Sequence, residues 1–408
     1  MFRKKSIQAV ALGSLVALAV AGCAATDGGD AAPVDSIKVV AAEYSPETSG
    51  LWADIAERFT AETGIKVDMQ VISWNDIHQQ VSTMIQTNQL PDILNIDSFS
   101  QYAAEDLLWE TKDVFSDRLA GNLADNLASS GEFDGKEYGI PFVGSASVLF
   151  YNPDLFAQAG IDGPPTTFEE LMEDAIALSA LPDTVGFGLS LSPEAPHVDF
   201  SQFLFSNGGD YVVDGEWTIN SDKNVETLSF LNDLTAAGGT EINPGKTGRQ
   251  DGTWQLFEAG TAGMVIGQSA LADRLAQTDT PYETVIFPSA PGVEPTSLGI
   301  ADYLMAFKKP GNQDAVTQFL DFALAQENYQ PFIEEEGFIP VTTDVQEALS
   351  SDPAFGAYIE AITSARFLPV GEAAWPTVLG QMKNSLGLAV QGDDPRKILD
   401  DIQATAKG

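Results

Sequence analysis

Apolar and polar residues follow two different rhythms along this chain, and the rhythm switches at short intervals. IKVVAAEY (37–44) is a β-branched run that stops at a turn. In SGLWADIAERFTAETG (49–64), Leu51, Trp52, Ile55, Ala56 and Phe59 recur at helical spacing, with Gly64 as a stop. IKVDMQVIS (65–73) predicts a second strand, WNDIHQQVSTMIQTN (74–88) an amphipathic helix, and DILNID (92–97) a third strand. Strand and helix in alternation predict an α/β unit with a largely parallel sheet, whose ligands collect outside the carboxyl ends of the strands. Those ends are Glu43-Tyr44, Ser73-Trp74 and Asp97-Ser98.

The pattern continues. FDGKEYGIPF (133–142) predicts a hairpin turning at Asp134-Gly135, and SVLFYN (147–152) a strand closed by Pro153. PPTTFEELMEDAIALSA (164–180) predicts a helix capped at Thr166 or Thr167 with acidic residues in its first turn. VGFGLS, AGMVIGQ, YETVIFP and LGIADYLMAFKK predict further strands, with helices at 198–207, 222–237 and 251–258 between them. Residues 312–408 are mostly helical by the same reading. A body of about 370 residues exceeds what one core usually supports, which predicts two lobes.

The amino terminus breaks the pattern. Arg3, Lys4 and Lys5 precede an apolar run from Ile7 to Val20, too short for a comfortable membrane span, and then Ala21, Gly22 and Cys23. Cys23 is the only cysteine of the 408 residues. A basic, apolar and small-residue series predicts a secretory signal, and its ending in cysteine resembles the bacterial lipobox. That resemblance implies cleavage after residue 22 and lipid attachment at Cys23. Residues 23–35, small and polar, then form a flexible tether.

Charge narrows the function. The formal net charge is −39, with the acidic residues scattered along the chain. Such a field repels nucleic acid, so a nucleic-acid partner is excluded. The acidity fits either a solvated extracellular surface or a cationic ligand. No further cysteine is present for thiolate catalysis or a zinc site, and there is no GxSxG, GxxxxGK[ST] or HExxH motif. The two histidines, His78 and His197, are far apart in sequence. No metal or cofactor is expected.

Several segments in order resemble the family 1 extracellular solute-binding proteins of ABC importers. They are DIAERFTAETGIKV, NQLPDILNIDS, FDGKEYGIPF, VLFYNPDLFAQAGID with GPPTTFEEL, FEAGTAGMVIGQS, LGIADYLMAF, NQDAVTQFLDFAL and GFIPV. The length and the FYNPDLF segment are similar to the sugar-binding branch, which includes maltose- and trehalose/maltose-binding proteins. The resemblance implies a two-lobed, periplasmic-binding-protein-like (Venus-flytrap) α/β fold with discontinuous lobes joined by crossing strands. Residues 36–146 with 298–341 would form lobe one, and 147–297 with 342–408 lobe two. It implies a monomeric, non-enzymatic receptor, lipid-anchored at the outer face of the cytoplasmic membrane. That receptor would hand a mono- or oligosaccharide to the transmembrane subunits of an ABC permease.

A sugar site needs aromatic faces to stack on and side chains that donate and accept hydrogen bonds. At the strand ends, Glu43, Tyr44 and Trp74 are candidates, each with a turn or core role as the other reading. The resemblance places Asp97 and Ser98 in the family's ligand-contacting loop, the alternative being a helix cap. It suggests Tyr151 and Asn152 at the crossover into lobe two, where an Asn-Pro turn is the structural reading. Gln268 stands where sugar binders often have an aromatic, which puts stacking there in doubt. Asp302 and Tyr303 fall where the branch often has Gly-Gly-Trp, so Tyr303 would serve as the platform. Arg366 matches a family arginine facing Asp97 or a hydroxyl, and Trp375 offers a second stacking face. Trp254, inside a predicted helix, reads as core. Two other functions remain: the same fold binding a polyamine or other cation, and a glycosidase using paired carboxylates.

Overall fold

A computed structural model describes residues 33–406 apart from positions 75, 353 and 354. The leader, Cys23 and most of the tether lie outside the described residues. No described helix is long and apolar enough to cross a membrane.

Two sheets organise the chain. In the first, the strands Lys66–Ser73, Ser36–Glu43 and Ile93–Ile96 lie side by side and parallel. Leu298–Ala306 runs antiparallel to Ile93–Ile96 and also pairs with Ile140–Ala146. The register of that second pairing shifts between Asp302 and Tyr303, opposite Pro141, whose missing N–H suits an irregular ladder. In the second sheet the order is Glu283–Val285, Val148–Tyr151, Ala262–Gly267, Val185–Gly188, the last two parallel.

Local signals read from sequence recur here. The helix Thr48–Thr63 ends at Gly64, whose φ of 78° is the left-handed cap glycine provides. Thr167 caps Phe168–Ser179 in a full capping box with Glu170. Two hydrophobic cores form, one around Trp52, Phe59, Phe142 and Phe319, the other around Phe187, Phe203, Leu231 and Leu399. Each large side chain so buried contributes roughly 1.5–3 kcal/mol relative to exposure.

The chain passes between the sheets at three places, and hydrogen bonds tie them together. Ser147 donates its N–H to the Leu298 carbonyl (2.9 Å), and Arg366 donates its N–H to the Ser297 carbonyl (2.9 Å). The buried Gln202 clamps the middle crossing: its Oε1 accepts from Leu298 N–H (2.7 Å) and its Nε2 donates to the Thr296 carbonyl (3.0 Å).

One boundary differs from the sequence division, which put 342–408 in lobe two. Val345 and Leu349 join the cluster around Trp52 and Phe319, and the helix Gly356–Thr363 packs on Ile140–Ala146 of the first sheet. The backbone holds them there: Ile339 and Gly144 exchange N–H···O bonds, and Thr343 donates its N–H to the Asn122 carbonyl. The chain reaches the second core only beyond Arg366–Phe367, through the helices Trp375–Ser385 and Pro395–Thr405.

Candidate functional site

Register brings four candidates to one edge of the first sheet. Glu43 is opposite Ser73, and Tyr303 is opposite Ile96. The next positions beyond those strand ends are Tyr44, Trp74, Asp97 and, running the other way, Asp302. Tyr44 lies 4.9 Å from Phe338 and 6.0 Å from Trp74, whose ring is 6.2 Å from that of His78. The Tyr44 hydroxyl donates to Asn95 Oδ1 (2.9 Å). Burial raises the Asp302 carboxyl to about 7, with Asp97 adding repulsion and the Tyr44 hydroxyl relieving part of it. Burial also lifts the Tyr44 hydroxyl well above its ordinary range, with Asp302 as the next cause.

Beside this edge lies a cavity of about 330 Å³ between the lobes. Lobe one contributes His78, Asp97, Ser98 and Gln101. His197, Trp375, Leu379 and Lys383 face them from lobe two, and Ile300, Leu368 and Val370 come from the crossing segments. His78 Nε2 stands 3.4 Å from Asp97 Oδ1, both side chains being about half exposed. A larger hollow of about 440 Å³ opens on the other side of Leu368, under the hairpin at Asp134-Gly135. Ser36–Glu43, Lys66–Ser73 and Ile93–Ile96 do not end there, so the smaller cavity is the candidate site.

The lobe-two wall rests on a buried ion pair. Arg249 Nη1 donates to Asp199 Oδ1 (3.0 Å), and Ser190 N–H donates to Asp199 Oδ2 (2.8 Å). The Arg249 guanidinium lies 5.1 Å from the Trp254 ring, whose Nε1 donates to the Ile266 carbonyl (3.0 Å). Burial lifts Asp199 to about 6 against the pull of Arg249. This network fixes the helix Pro196–Ser206, and with it His197 in the first turn. Burial lowers the His197 imidazole to about 3, aided by Lys383 and then Arg249, so it is neutral near pH 7.

The model for bacterial extracellular solute-binding proteins matches residues 54–357, most of the chain. The chain belongs to that family. A putative binding protein of Brucella abortus is 26% identical over 385 residues, covering 92% of this chain and 93% of its own. The diacetylchitobiose-binding protein of Streptomyces coelicolor is 27% identical over 382 residues, covering 86% and 85%. The cyclic α-maltosyl-1,6-maltose-binding protein of Arthrobacter globiformis superposes with a TM-score of 0.77 at 22% identity, over 92% of this chain and 98% of that one. The last likeness establishes the two-lobed fold.

Within this solute-binding protein the twelve sequence candidates separate cleanly. Asp97 and Ser98 line the cavity, and Trp74 and Asp302 adjoin it through their contacts with His78 and Asp97, with Tyr44 beside Trp74. Gln268 lies at the crossing, its Nε2 3.5 Å from Ser147 Oγ. Glu43 is exposed at its strand end and does not line the cavity.

The other five have structural employment. Tyr303 is not the platform: strand alternation that turns Asp302 to the cleft turns Tyr303 into the core, 4.9 Å from Phe99, with its hydroxyl donating to Ser130 Oγ (3.0 Å). Tyr151 is buried in the second sheet, hydrogen-bonded to Glu283 and 5.0 Å from Phe156. Asn152 is a helix cap whose Oδ1 accepts from Asp154 and Leu155 N–H (3.0 and 3.2 Å). Arg366 faces away from Asp97, paired with Asp210 and stacked 4.5 Å over Phe205. Trp375 touches the cavity but is 2% exposed, its ring 5.6 Å from Tyr211.

Sequence reasoning missed His78, Gln101, His197 and Lys383 as cleft residues. One signal was available for two of them: the chain has only two histidines, and both line this cavity.

Proposed function

We propose that this solute-binding protein captures a mono- or oligosaccharide between its lobes and delivers it to an ABC permease. The observation that carries this is the lobe-one edge, where an aromatic series, Tyr44 and Trp74, adjoins the acceptors Asp97 and Asp302 at converging strand ends. Aromatic faces match the C–H surfaces of a sugar ring, and carboxyl groups match its hydroxyls. The relatives support the reading, since they include proteins named for binding diacetylchitobiose and cyclic maltosyl-maltose. Binding is without turnover.

A cationic ligand fits this site less well. The molecule's acidity is not concentrated in the cavity: Lys383 accompanies the one carboxylate that lines it, Asp97, and burial keeps the neighbouring Asp302 partly protonated near pH 7. A thermal-shift screen tests the choice. A true ligand at 100 times its dissociation constant stabilises the fold by about 2.7 kcal/mol. Sugars are expected to raise the unfolding midpoint; a response to spermidine alone would sink the carbohydrate reading.

Anchoring at Cys23 completes the proposal. Tethered by residues 23–35, the receptor stays beside its permease at the outer face of the membrane and acts as a monomer. Cys23→Ser is expected to bind ligand normally and to be shed into the medium, which fractionation and immunoblotting would detect. Retention on the membrane would remove the anchor.

A further inference from the structure

Most lysines and arginines among the described residues sit in ion pairs, as the excess of carboxylates makes easy. Lys383 does not. Among the described residues it has no ion pair and no hydrogen bond, although it is partly buried on the helix Trp375–Ser385. It lines the interlobe cavity together with His197 of the same lobe and His78 of the other. His197 carries a second unmet group: its buried Nδ1 has no hydrogen-bond partner. The one carboxylate lining the cavity, Asp97, stands next to His78 and not next to a lysine or arginine. In a chain of net charge −39, a recess lined by one lysine, two imidazoles and a single carboxylate is far less acidic than the surface around it.

Resting on the carbohydrate reading above, we infer that the ligand is an acidic carbohydrate whose carboxylate or phosphate is held by Lys383, with His197 beside it. The partly buried ammonium offers three donors and a charge to an anionic oxygen, and such bonds are about twice as strong as neutral ones. His197, neutral at pH 7, still carries one N–H to donate. The acidic exterior does not forbid this. Exposed charges more than about 8 Å away are largely screened at physiological salt, so the nearest cation decides. The apolar Leu379 and Ile300 flank the same cavity and limit water there, which strengthens a local ionic contact.

Titration calorimetry on the purified protein tests this. The probes are glucose-, galactose- and mannose-based mono- and disaccharides, each as neutral sugar, as uronate and as 6-phosphate. At least one acidic member is expected to bind tenfold or more tighter than its neutral parent, with an advantage that shrinks as salt rises. The uronate and phosphate arms identify which anion it is. Lys383→Met is expected to weaken the acidic member more than its parent, and Lys383→Arg to restore part of the preference. Unfolding midpoints of both variants check that they fold. A neutral sugar that binds as tightly as its acidic forms would overturn this inference and leave the carbohydrate reading intact. If no member of the panel binds, both fall.

Discussion

The two walls of the cleft are built from similar residue types put to different uses. Lobe one presents Trp74 and Asp97 at the ends of parallel strands, with side chains partly free of the core. Lobe two has its own aromatic and amide candidates, Trp375, Tyr151 and Asn152, but folding has already used them in packing and capping. What lobe two offers the cleft comes from helices: His197 in a first turn and Lys383 in a last turn. Strand ends thus display side chains on one wall, while on the other the helices do so and the strand ends are consumed by the core.

The sharpest way to break this contrast is to exchange the roles of two tryptophans. Trp375→Ala is expected to lose about 3–5 kcal/mol of stability, as large buried aromatics do, read from urea unfolding. Trp74→Ala is expected to lose less stability but roughly tenfold in ligand affinity, the scale of one aromatic contact. If Trp375→Ala left the midpoint unchanged and abolished binding, it would be a platform and the contrast would collapse. A second substitution probes the support of the lobe-two wall. Arg249→Met leaves Asp199, whose side chain is 2% exposed, without its partner. Breaking a buried pair in this way costs about 3–5 kcal/mol, and the loss should appear as an earlier unfolding midpoint at pH 7.5. Because Asp199 protonates more readily than an ordinary carboxylate, the loss should be smaller at pH 5.

Asn152 is a finer test. As a cap for Pro153–Ala159, Asn152→Ala is expected to cost about 1 kcal/mol of stability and to leave ligand affinity unchanged. A selective loss of affinity would return Asn152 to the site.

These cases also locate what the sequence reveals. Hydrophobic rhythm identified the strands, because a parallel sheet needs β-branched runs and its ends follow directly; Asp97 came with them, whereas Asp302 came from the family resemblance. It could not decide which of two adjacent residues faces the cleft. Asp302 and Tyr303 differ by one step, and the irregular ladder opposite Pro141 intervenes at that step. Arg366 was misjudged because its partner, Asp210, is 156 residues away. Lys383 and His197 lie on helices distant in sequence, and only the packing of Trp375–Ser385 against Pro196–Ser206 within lobe two gives them a common cavity. The helices Thr343–Leu349 and Gly356–Thr363 went to the wrong lobe because their own periodicity does not say which sheet they cover.

The smallest expected effect separates the walls by pH. Asp302 on lobe one is raised from 3.8 to about 7, chiefly by burial, and His197 on lobe two is lowered from 6.5 to about 3, also chiefly by burial. A raised carboxyl favours the folded state at low pH, and that contribution is lost as pH rises through about 7. A lowered imidazole does the reverse: its contribution is present above 6.5 and is lost as pH falls toward 3. Between pH 8 and 6.5 the carboxyls act, with Glu241, raised by burial to about 7, adding to Asp302. Stability should therefore rise on mild acidification. Below 6.5 His197 subtracts, while Asp302 and Glu241 go on taking up protons in the folded state toward their ordinary values of 3.8 and 4.5, so the rise should slow without reversing. Asp302→Asn should flatten the rise from pH 8 without removing the Glu241 part, and His197→Gln should steepen the rise below 6.5. Midpoints measured from pH 5 to 8.5 at constant ionic strength would show it. A midpoint that climbs steadily to pH 8.5 would mean that neither wall holds its titrating group as described.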